Sequence, residues 1–165
     1  MEVPSYTKVL TLGVQGTERA LVGNVIVQEK VDGSQFAFGI SHGEIGCRSH
    51  HQQIDMDNPG MFGLAVEHVR SISETLRYDI GDEEAWFYCE YLQKPKHNTL
   101  AYERTPKNHL VLFDATHNGT WFTRLALEAW GREAAIDVIP ELSCGEVTIS
   151  SLANLLKMPS YRLVY

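Results

Sequence analysis

The sequence has few cysteines, and they are not arranged in pairs. Its 165 residues contain three, Cys47, Cys89 and Cys144, which are widely separated and form no Cys-x-x-Cys pair. An odd number without close spacing favours neither a disulfide framework nor a zinc site. Cys47 and Cys89 lie in strand-like segments and are predicted to be buried, reduced thiols.

Long apolar runs are also missing. No run approaches the roughly 20 residues that a membrane-spanning helix requires, and the N-terminus lacks the apolar core of a signal peptide. We therefore expect a soluble, cytoplasmic protein without a membrane partner. The chain length fits one domain that buries its own core.

An overall excess of positive charge is absent as well. The formal net charge is −7 at pH 7, which argues against indiscriminate nucleic-acid binding through bulk charge. Between residues 94 and 109, however, only Glu103 opposes a group of basic side chains: Lys94, Lys96, His97, Arg104, Lys107 and His109. This stretch is either a solvated loop or a surface that meets phosphates. In the second case its lysines and its arginine are the candidate nucleic-acid contacts.

The first part of the chain is predicted to form an antiparallel meander. β-Branched and apolar residues predict a strand over 24–30, and alternating apolar residues predict a second strand over 34–41. Asp32-Gly33 is a hairpin-type turn between them, because glycine accepts a positive φ without a Cβ clash. After a further turn the chain returns as a short strand over 44–48.

The rest of the chain mixes helices and strands. Apolar residues at steps of three and four predict an amphipathic helix from Phe62 to Ile80. Further predicted elements are strands over 86–92 and 109–115, helices over 122–136 and 148–157, and a polar loop over 93–108. In the last helix, Ile149, Leu152 and Leu156 are expected to face inward. Strands and helices do not alternate regularly, so the predicted class is α+β, with mainly antiparallel sheets and flanking helices.

Lys30 stands at the mouth of the Asp32-Gly33 turn. Most lysines in such a position are exposed surface residues. The functional alternative is a covalent nucleophile for phosphorus chemistry, which requires desolvation or nearby cations to keep the amine deprotonated. Gly33 would let the backbone approach a bound nucleotide closely.

Three later residues are candidates for a ligand site. Arg48 ends the third strand and is either a surface charge or a phosphate contact. Glu90 shares a strand face with aromatic residues, so it is either a buried ion-pair partner or an acceptor for ligand hydroxyls. Phe113 is either a core residue or an aromatic platform for a nucleobase. Because adjacent residues on an extended chain point to opposite sides, His50-His51 is not predicted to bind a metal.

In their order along the chain, these pieces resemble the motifs of covalent nucleotidyltransferases, which include ATP-dependent ligases and mRNA-capping guanylyltransferases. RNA ligases of the phage nick-sealing type are particularly similar. The nucleotide-attachment motif is resembled by Glu29-Lys30-Val31-Asp32-Gly33 with Ser34-Gln35-Phe36. Cys47-Arg48-Ser49 resembles the arginine motif of the family, and Tyr88-Cys89-Glu90-Tyr91-Leu92 resembles its strand motif around a glutamate. Leu112-Phe113-Asp114-Ala115 resembles its Phe-Asp-Ile element.

The resemblance, which covers residues 24–115, implies an adenylation domain that uses ATP and Mg²⁺. Lys30 would form a lysyl-AMP, and the AMP would pass to an RNA 5′-phosphate that a 3′-hydroxyl then joins, at RNA ends or in a nicked duplex. Glu90 would hold the ribose, Phe113 would stack on adenine, and Arg48 would contact the ribose or phosphates. The other implied nucleotide-pocket residues are Glu29, Asp32, Gly33 and Gln35.

Two departures from the family pattern leave alternatives open. Position 32 is aspartate where close phage relatives often carry histidine, and neither a Glu-Gly strand nor a Lys-x-Lys strand appears before Tyr165. The segment 158–161 resembles the run-up to those motifs, so residues 1–165 are expected to be the larger, N-terminal part of an adenylation domain. The alternatives are a catalytically silent nucleotide- or nucleic-acid-binding fragment, and a DNA ligase or capping-type enzyme. The oligomeric state is not predicted.

Overall fold

The computed structural model describes residues 1–157, so the predicted run-up at 158–161 lies outside the described residues. None of the helices between residues 1 and 157 has the length and apolar character needed to cross a membrane. The strands are β1 (Val25–Gln28), β2 (Ser34–Ser41), β3 (Glu44–Ser49), β4 (Gln53–Ile54), β5 (Glu84–Tyr91), β6 (Leu110–His117), β7 (Thr120–Trp121), β8 (Asp137–Val138) and β9 (Glu141–Gly145). The helices are α1 (Gly63–Ser71), α2 (Ser73–Ile80), α3 (Arg124–Glu133) and α4 (Ile149–Leu155).

One large sheet organises the fold. Its strands follow the order β4-β3-β2-β5-β6-β7 with antiparallel neighbours, and β8 joins β6 in parallel. Strands β1 and β9 form a separate antiparallel pair. Side chains of α1, α2 and α3 pack on one face of the large sheet. The predicted α+β class with mainly antiparallel sheets and flanking helices is therefore confirmed.

The main core lies between that face and the helices. Phe36, Phe38 and Ile40 are fully buried in it, as their alternation predicts. Cys47 and Cys89 are buried free thiols in the same core, which confirms their prediction. Burial raises the pKa of Cys47 to about 12 and raises the pKa of Cys89 well above its ordinary value. Both thiols are therefore protonated and unreactive at neutral pH.

Two tight turns fix the register of the large sheet. His42 and Gly43 have φ values of 49° and 75°, and Asn118 and Gly119 have φ values of 49° and 73°. Positive φ at both central residues is typical of the type I′ hairpin, whose twist matches that of the strands. Ser41 consequently pairs with Glu44 across the first of these turns.

The predicted Asp32-Gly33 hairpin is wrong. Strand β1 pairs with β9 and not with β2, and Gly33 is not among the glycines with positive φ. The chain instead passes from the two-stranded sheet to the large sheet between residues 28 and 34. A local turn signal carries no information about a pairing partner more than 100 residues further along the chain.

The single helix predicted from Phe62 to Ile80 is also wrong, because it is divided at Ile72. Residue Ile72 has φ −99° and ψ 6°, and its N–H donates to the carbonyl of His68. The Ser71 hydroxyl donates to the same carbonyl at 2.7 Å. Such back-bonding by serine competes with the helical ladder and bends helices. Both halves still bury their apolar residues in the main core, so the period continues across the break.

The last helix starts as predicted but does not face inward. Thr148 and Ser151 form a capping box that fixes its first turn. Ile149 is 64% exposed and Leu156 is 87% exposed, whereas Leu152 is half-buried. An apolar period predicts a helix with an apolar face, but it does not predict what that face contacts.

Candidate functional site

The face of the large sheet that points away from the helices carries the predicted site residues. Gln35 of β2 lies opposite Glu90 of β5, and Ala37 of β2 lies opposite Arg48 of β3. Directly opposed residues project to the same face, and residues two apart on a strand do too. Gln35, Arg48 and Glu90 therefore share one face, although they are distant in the sequence.

Gly33 lies against the Glu90 carboxylate. A Cβ at position 33 would be 2.7 Å from the Tyr91 carbonyl oxygen and 3.1 Å from Glu90 Oε2. Glycine is thus needed for this close approach and not for a positive φ. The segment that follows Lys30 therefore packs directly against the Glu90 carboxylate.

Glu90 is half-buried, and its protonation is finely balanced. Burial raises its pKa to about 7, although the Lys30 ammonium and the Gly33 N–H both lower it, while the Asp32 carboxylate raises it. The Lys30 charge also lowers the pKa of Asp32, where the N–H of Leu100 has the largest effect. Lys30 therefore lies near two carboxylates.

The residues on either side of Lys30 are held in place. The Glu29 N–H donates to the Pro140 carbonyl at 3.3 Å. Val31 is 2% exposed and packs in an apolar cluster with Leu92, Tyr102, Val111 and Ile139. The Lys30 side chain itself is exposed. The amine thus reaches solvent from a backbone that is anchored on both sides.

We call residues 30–34 the Lys30 turn, and the polar loop predicted over 93–108 binds to it. Asp32 Oδ2 accepts from the N–H groups of Thr99 and Leu100, each at 2.8 Å, and the Asp32 N–H donates to Tyr102 Oη at 2.7 Å. The Asn98 amide donates to the Gly33 carbonyl at 2.7 Å. We call residues 97–102 the clamp segment. The sequence indicated a long loop, but nothing in it showed that the loop would meet Lys30.

The basic residues of the loop separate into two groups. Lys94 and Lys96 are exposed near the clamp segment. Arg104 donates to the buried Asp137 carboxylate at 2.8 Å, and the Lys107 N–H donates to the same oxygen at 2.9 Å. Asp137 is 4% exposed. The second group thus fastens the loop to β8.

The N-terminal segment contributes to the same face, which the sequence did not predict. Arg48 donates to the Val3 carbonyl and, through Nε, to its neighbour Ser49, each at 3.0 Å. Val3 is fully buried, and Gln53 donates to its carbonyl at 2.8 Å. These bonds orient the Arg48 guanidinium with two of its nitrogens on backbone carbonyls. No motif links residues 1–6 to the site, so only the folded structure reveals the contact.

Phe113 is half-buried between the cluster around Val31 and a second apolar cluster on this face, which consists of Val3, Ala37, Trp86 and Tyr88. Tyr6 lies edge-on to its ring, with centroids 5.0 Å apart, and donates its hydroxyl hydrogen to Asp114 at 2.9 Å. Burial and the Asp114 charge raise the pKa of Tyr6, and burial raises the pKa of Asp114. Tyr6 is therefore a functional candidate outside the motifs, and Asp114, which lies within the Phe-Asp-Ile element, is its partner.

Gln35 and the two adjacent histidines lie at the edge of this face. The Gln35 side-chain oxygen is hydrogen-bonded to His50 Nδ1 at 2.5 Å, and the rings of His50 and His51 are inclined at 81°. Within residues 1–157, no three histidine, cysteine, aspartate or glutamate side chains are grouped as metal ligands.

Known proteins share both the sequence profile and the fold. The profile of the family described as RNA ligase matches residues 23–162. A search of curated proteins finds no match. An apo mutant of Naegleria gruberi RNA ligase superposes with a TM-score of 0.61 at 12% identity, over 89% of this chain and 45% of that one. A mutant of that ligase with ATP and Mn gives a TM-score of 0.60 at 13% identity, over 90% of this chain and 44% of that one.

At such identities the structural likeness concerns the fold, which is that of a ligase nucleotidyltransferase domain. The chain spans less than half the length of these Naegleria structures. The family profile, in contrast, matches most of the 165 residues. The chain therefore belongs to the RNA ligase family, as its motifs predicted.

Proposed function

We propose that this chain carries the adenylation site of an ATP-dependent RNA ligase, with Lys30 as the nucleophile. The observation that carries the proposal is the meeting of the Lys30 turn with Glu90, through a glycine that leaves no room for a side chain. A charged amine, a half-buried carboxylate and a half-buried aromatic ring then lie on one side of the sheet. This combination suits a nucleotide with its α-phosphate towards the lysine.

The proposed chemistry has three steps. The Nζ lone pair of Lys30 attacks the α-phosphorus of ATP, the bond to the bridging oxygen breaks, pyrophosphate leaves, and the amine loses its proton to solvent. An RNA 5′-phosphate oxygen then takes the AMP, and the lysine regains a proton as the P–N bond breaks. Finally, a 3′-hydroxyl attacks the activated 5′-phosphorus and releases AMP.

The surrounding residues bind and orient the nucleotide. Glu90 accepts hydrogen bonds from the ribose hydroxyls, which compensates for burying its charge. Phe113 stacks on the adenine, and Arg48, already oriented by two carbonyls, turns its remaining nitrogen towards the ribose or phosphates. The segment formed by Glu29, Asp32, Gly33 and Gln35 borders the pocket.

Magnesium fits this site as a partner of the phosphates. Mg²⁺ usually binds through one or two carboxylates and substrate phosphates, and it neutralises charge during phosphoryl transfer. Because Glu90 is assigned to the ribose, the metal would be held mainly by the phosphates of the nucleotide. Lys30 lies near the carboxylates of Glu90 and Asp32, so a Mg²⁺ ion bound to the phosphates would add positive charge next to the amine.

The polynucleotide is proposed to pass beside the clamp segment. Lys94 and Lys96 are exposed there, and lysines are effective phosphate contacts. Arg104 and Lys107 are secondary candidates, because both bind Asp137 through a side-chain or backbone nitrogen.

The direct test is covalent labelling of Lys30. The 165-residue chain is incubated with ATP labelled at the α-phosphate and magnesium, denatured and mapped by mass spectrometry. An AMP adduct on the Lys30 peptide is expected, and Lys30→Ala should abolish it while Lys8→Ala, at another exposed lysine, should not. Label that persists in Lys30→Ala would refute the assignment. Nicked RNA, nicked DNA and GTP then separate an RNA ligase from a DNA ligase or capping enzyme.

Nucleotide or nucleic-acid binding without turnover is the second candidate. It is favoured by the exposed Lys94 and Lys96 beside the clamp segment, which can contact phosphates whether or not an adduct forms. It predicts that calorimetry detects ATP or RNA binding while no adduct forms. Covalent AMP would exclude it.

A further inference from the structure

The Lys30 turn lacks the ladder of a hairpin, and the clamp segment supplies the missing partners. Because β1 does not pair with β2, the backbone of residues 32 and 33 is not held by a hairpin ladder between those two strands. Buried or half-buried backbone groups still require hydrogen bonds. Tyr102 Oη accepts from the Asp32 N–H, and the Asn98 amide donates to the Gly33 carbonyl.

A further bond joins the turn to the clamp segment at its first residue. His97 Nε2 and Ser34 Oγ are hydrogen-bonded at 2.9 Å, and the Gln93 N–H donates to His97 Nδ1 at 3.1 Å. Since Nδ1 accepts, the neutral imidazole carries its proton on Nε2 and donates to Ser34. Burial lowers the pKa of His97, which favours this neutral form.

The loop that carries the clamp segment also has a contact away from Lys30. Tyr102 is 9% exposed, and its N–H donates to the Pro95 carbonyl at 2.9 Å. Arg104 then ties the following residues to Asp137. A loop fixed in this way can set the position of a segment that no hairpin ladder holds.

We propose that the clamp segment positions Lys30 for its attack on the α-phosphorus, and that Asp32 is a positioning residue that acts through the N–H groups of Thr99 and Leu100. This inference rests on the proposed function and extends it from Asp32 of the attachment motif to residues 97–102, which lie outside the motifs. Asp32 is two residues from Lys30, so losing the bonds of its carboxylate to Thr99 and Leu100 loosens the chain just after the anchors at Glu29 and Val31 and shifts the amine. A displacement of the attacking amine by about 1 Å can lower the rate of the reaction by about 100-fold.

The test separates the rate of adduct formation from nucleotide affinity. We expect Asp32→Ala and Asn98→Ala to lower the single-turnover rate of lysyl-AMP formation at saturating ATP by about 10- to 100-fold. The Kd for ATP, measured in a Lys30→Ala background, should change by less than about threefold. Thr99→Ala is the matched control, because it removes an exposed side chain and keeps the N–H that binds Asp32.

Rescue distinguishes geometry from charge. Asp32→Asn retains an oxygen that accepts from both N–H groups, so it should restore most of the rate that Asp32→Ala loses. An Asp32→Asn chain as slow as Asp32→Ala would assign the role to the negative charge and overturn the proposal. So would a Kd that weakens as much as the rate, or an Asn98→Ala chain that reacts at the parent rate.

If the parent chain forms no adduct, that result counts against the proposed function alone, and the role of the clamp segment is tested in another way. In that case, the rate at which a small amine-reactive reagent acylates Lys30 is measured by peptide mapping, with amide hydrogen exchange at Thr99 and Leu100. Asp32→Ala should accelerate exchange at both amides and alter the acylation rate of Lys30, whereas Thr99→Ala should not alter that rate. Faster exchange with unchanged acylation of Lys30 would overturn the clamp as a positioning device.

Discussion

Glu90→Gln should stabilise the folded chain at alkaline pH while weakening its site. The native state keeps a proton on Glu90 up to a pKa of about 7, whereas an ordinary glutamate loses it near 4.5. Between these values the native state binds more protons than the unfolded state. A rise in pH through this window therefore lowers the free energy of unfolding.

The magnitude follows from the pKa. A shift from 4.5 to about 7, at 1.36 kcal/mol for each unit, corresponds to an upper bound of about 3 kcal/mol. Because the side chain is only half-buried, screening by solvent reduces this bound. The amide introduced by Glu90→Gln has no charge to desolvate, so the difference between variant and parent should grow from nearly zero at pH 4.5 to about 2–3 kcal/mol at pH 8.5.

Urea unfolding at a series of pH values between 4.5 and 8.5 provides the measurement. His68 complicates the parent profile, because burial lowers its pKa and its contribution to stability rises with pH. That contribution is common to both chains and cancels in the difference. Asp82→Asn, at an exposed carboxylate, is the control and should leave the profile unchanged. A difference that stays flat across the range would refute the account of Glu90.

Three further substitutions test other contacts by urea unfolding. Tyr6→Phe keeps the ring contacts and removes the donor to a half-buried carboxylate, so it should lower the free energy of unfolding by about 1–2 kcal/mol. The control Tyr78→Phe, at a ring that is 90% exposed, should lower it by less than about 0.5 kcal/mol. Equal effects of the two substitutions would contradict the N-terminal contact. Gly33→Ala should destabilise the fold by about 1–3 kcal/mol and slow adenylation. The control Gly63→Ala, with open space around it, should be neutral or slightly stabilising. A Gly33→Ala chain with the stability of the parent would disprove the close approach. Arg104→Met leaves a buried carboxylate without its ion pair and should cost about 3 kcal/mol; a loss below about 1 kcal/mol would show that the pair does not secure the loop.

Local patterns predicted the parts of this fold that local physics determines. The alternation of Phe36, Phe38 and Ile40 identified the buried face of β2, because side chains alternate across a strand. Both type I′ turns place glycine after a residue that tolerates positive φ, which is a local signal of such a turn. The same reasoning failed at Asp32-Gly33, since a glycine also serves where another backbone or carboxylate comes close, and the sequence does not distinguish the two uses.

The site was predictable only where both residues of a contact belong to recognised motifs. The sheet register brings Glu90 and Gln35 together, and both belonged to predicted motifs. The clamp segment and Tyr6 reach the site from loops, where hydrogen bonds to distant backbone groups leave no periodic trace. The basic stretch shows the same limit, because Arg104 and Lys94 read alike in the sequence and have different surroundings in the fold.

If Glu90 accepts hydrogen bonds from the ribose, ATP binding must favour its ionised form. Binding near pH 6.5 should then lower the pKa of Glu90 and release a fraction of a proton, and ATP affinity should rise as the pH passes through about 7. Calorimetry in two buffers of different ionisation enthalpy measures this release, in a Lys30→Ala background that prevents the covalent step. Protons released by the nucleotide itself are also released with a Lys30→Ala, Glu90→Gln chain. The difference in proton release between this chain and Lys30→Ala therefore measures the protons that come from Glu90. Equal proton release from both would show that Glu90 does not bind the ribose as an anion, because an acceptor that must be ionised cannot bind without giving up its proton.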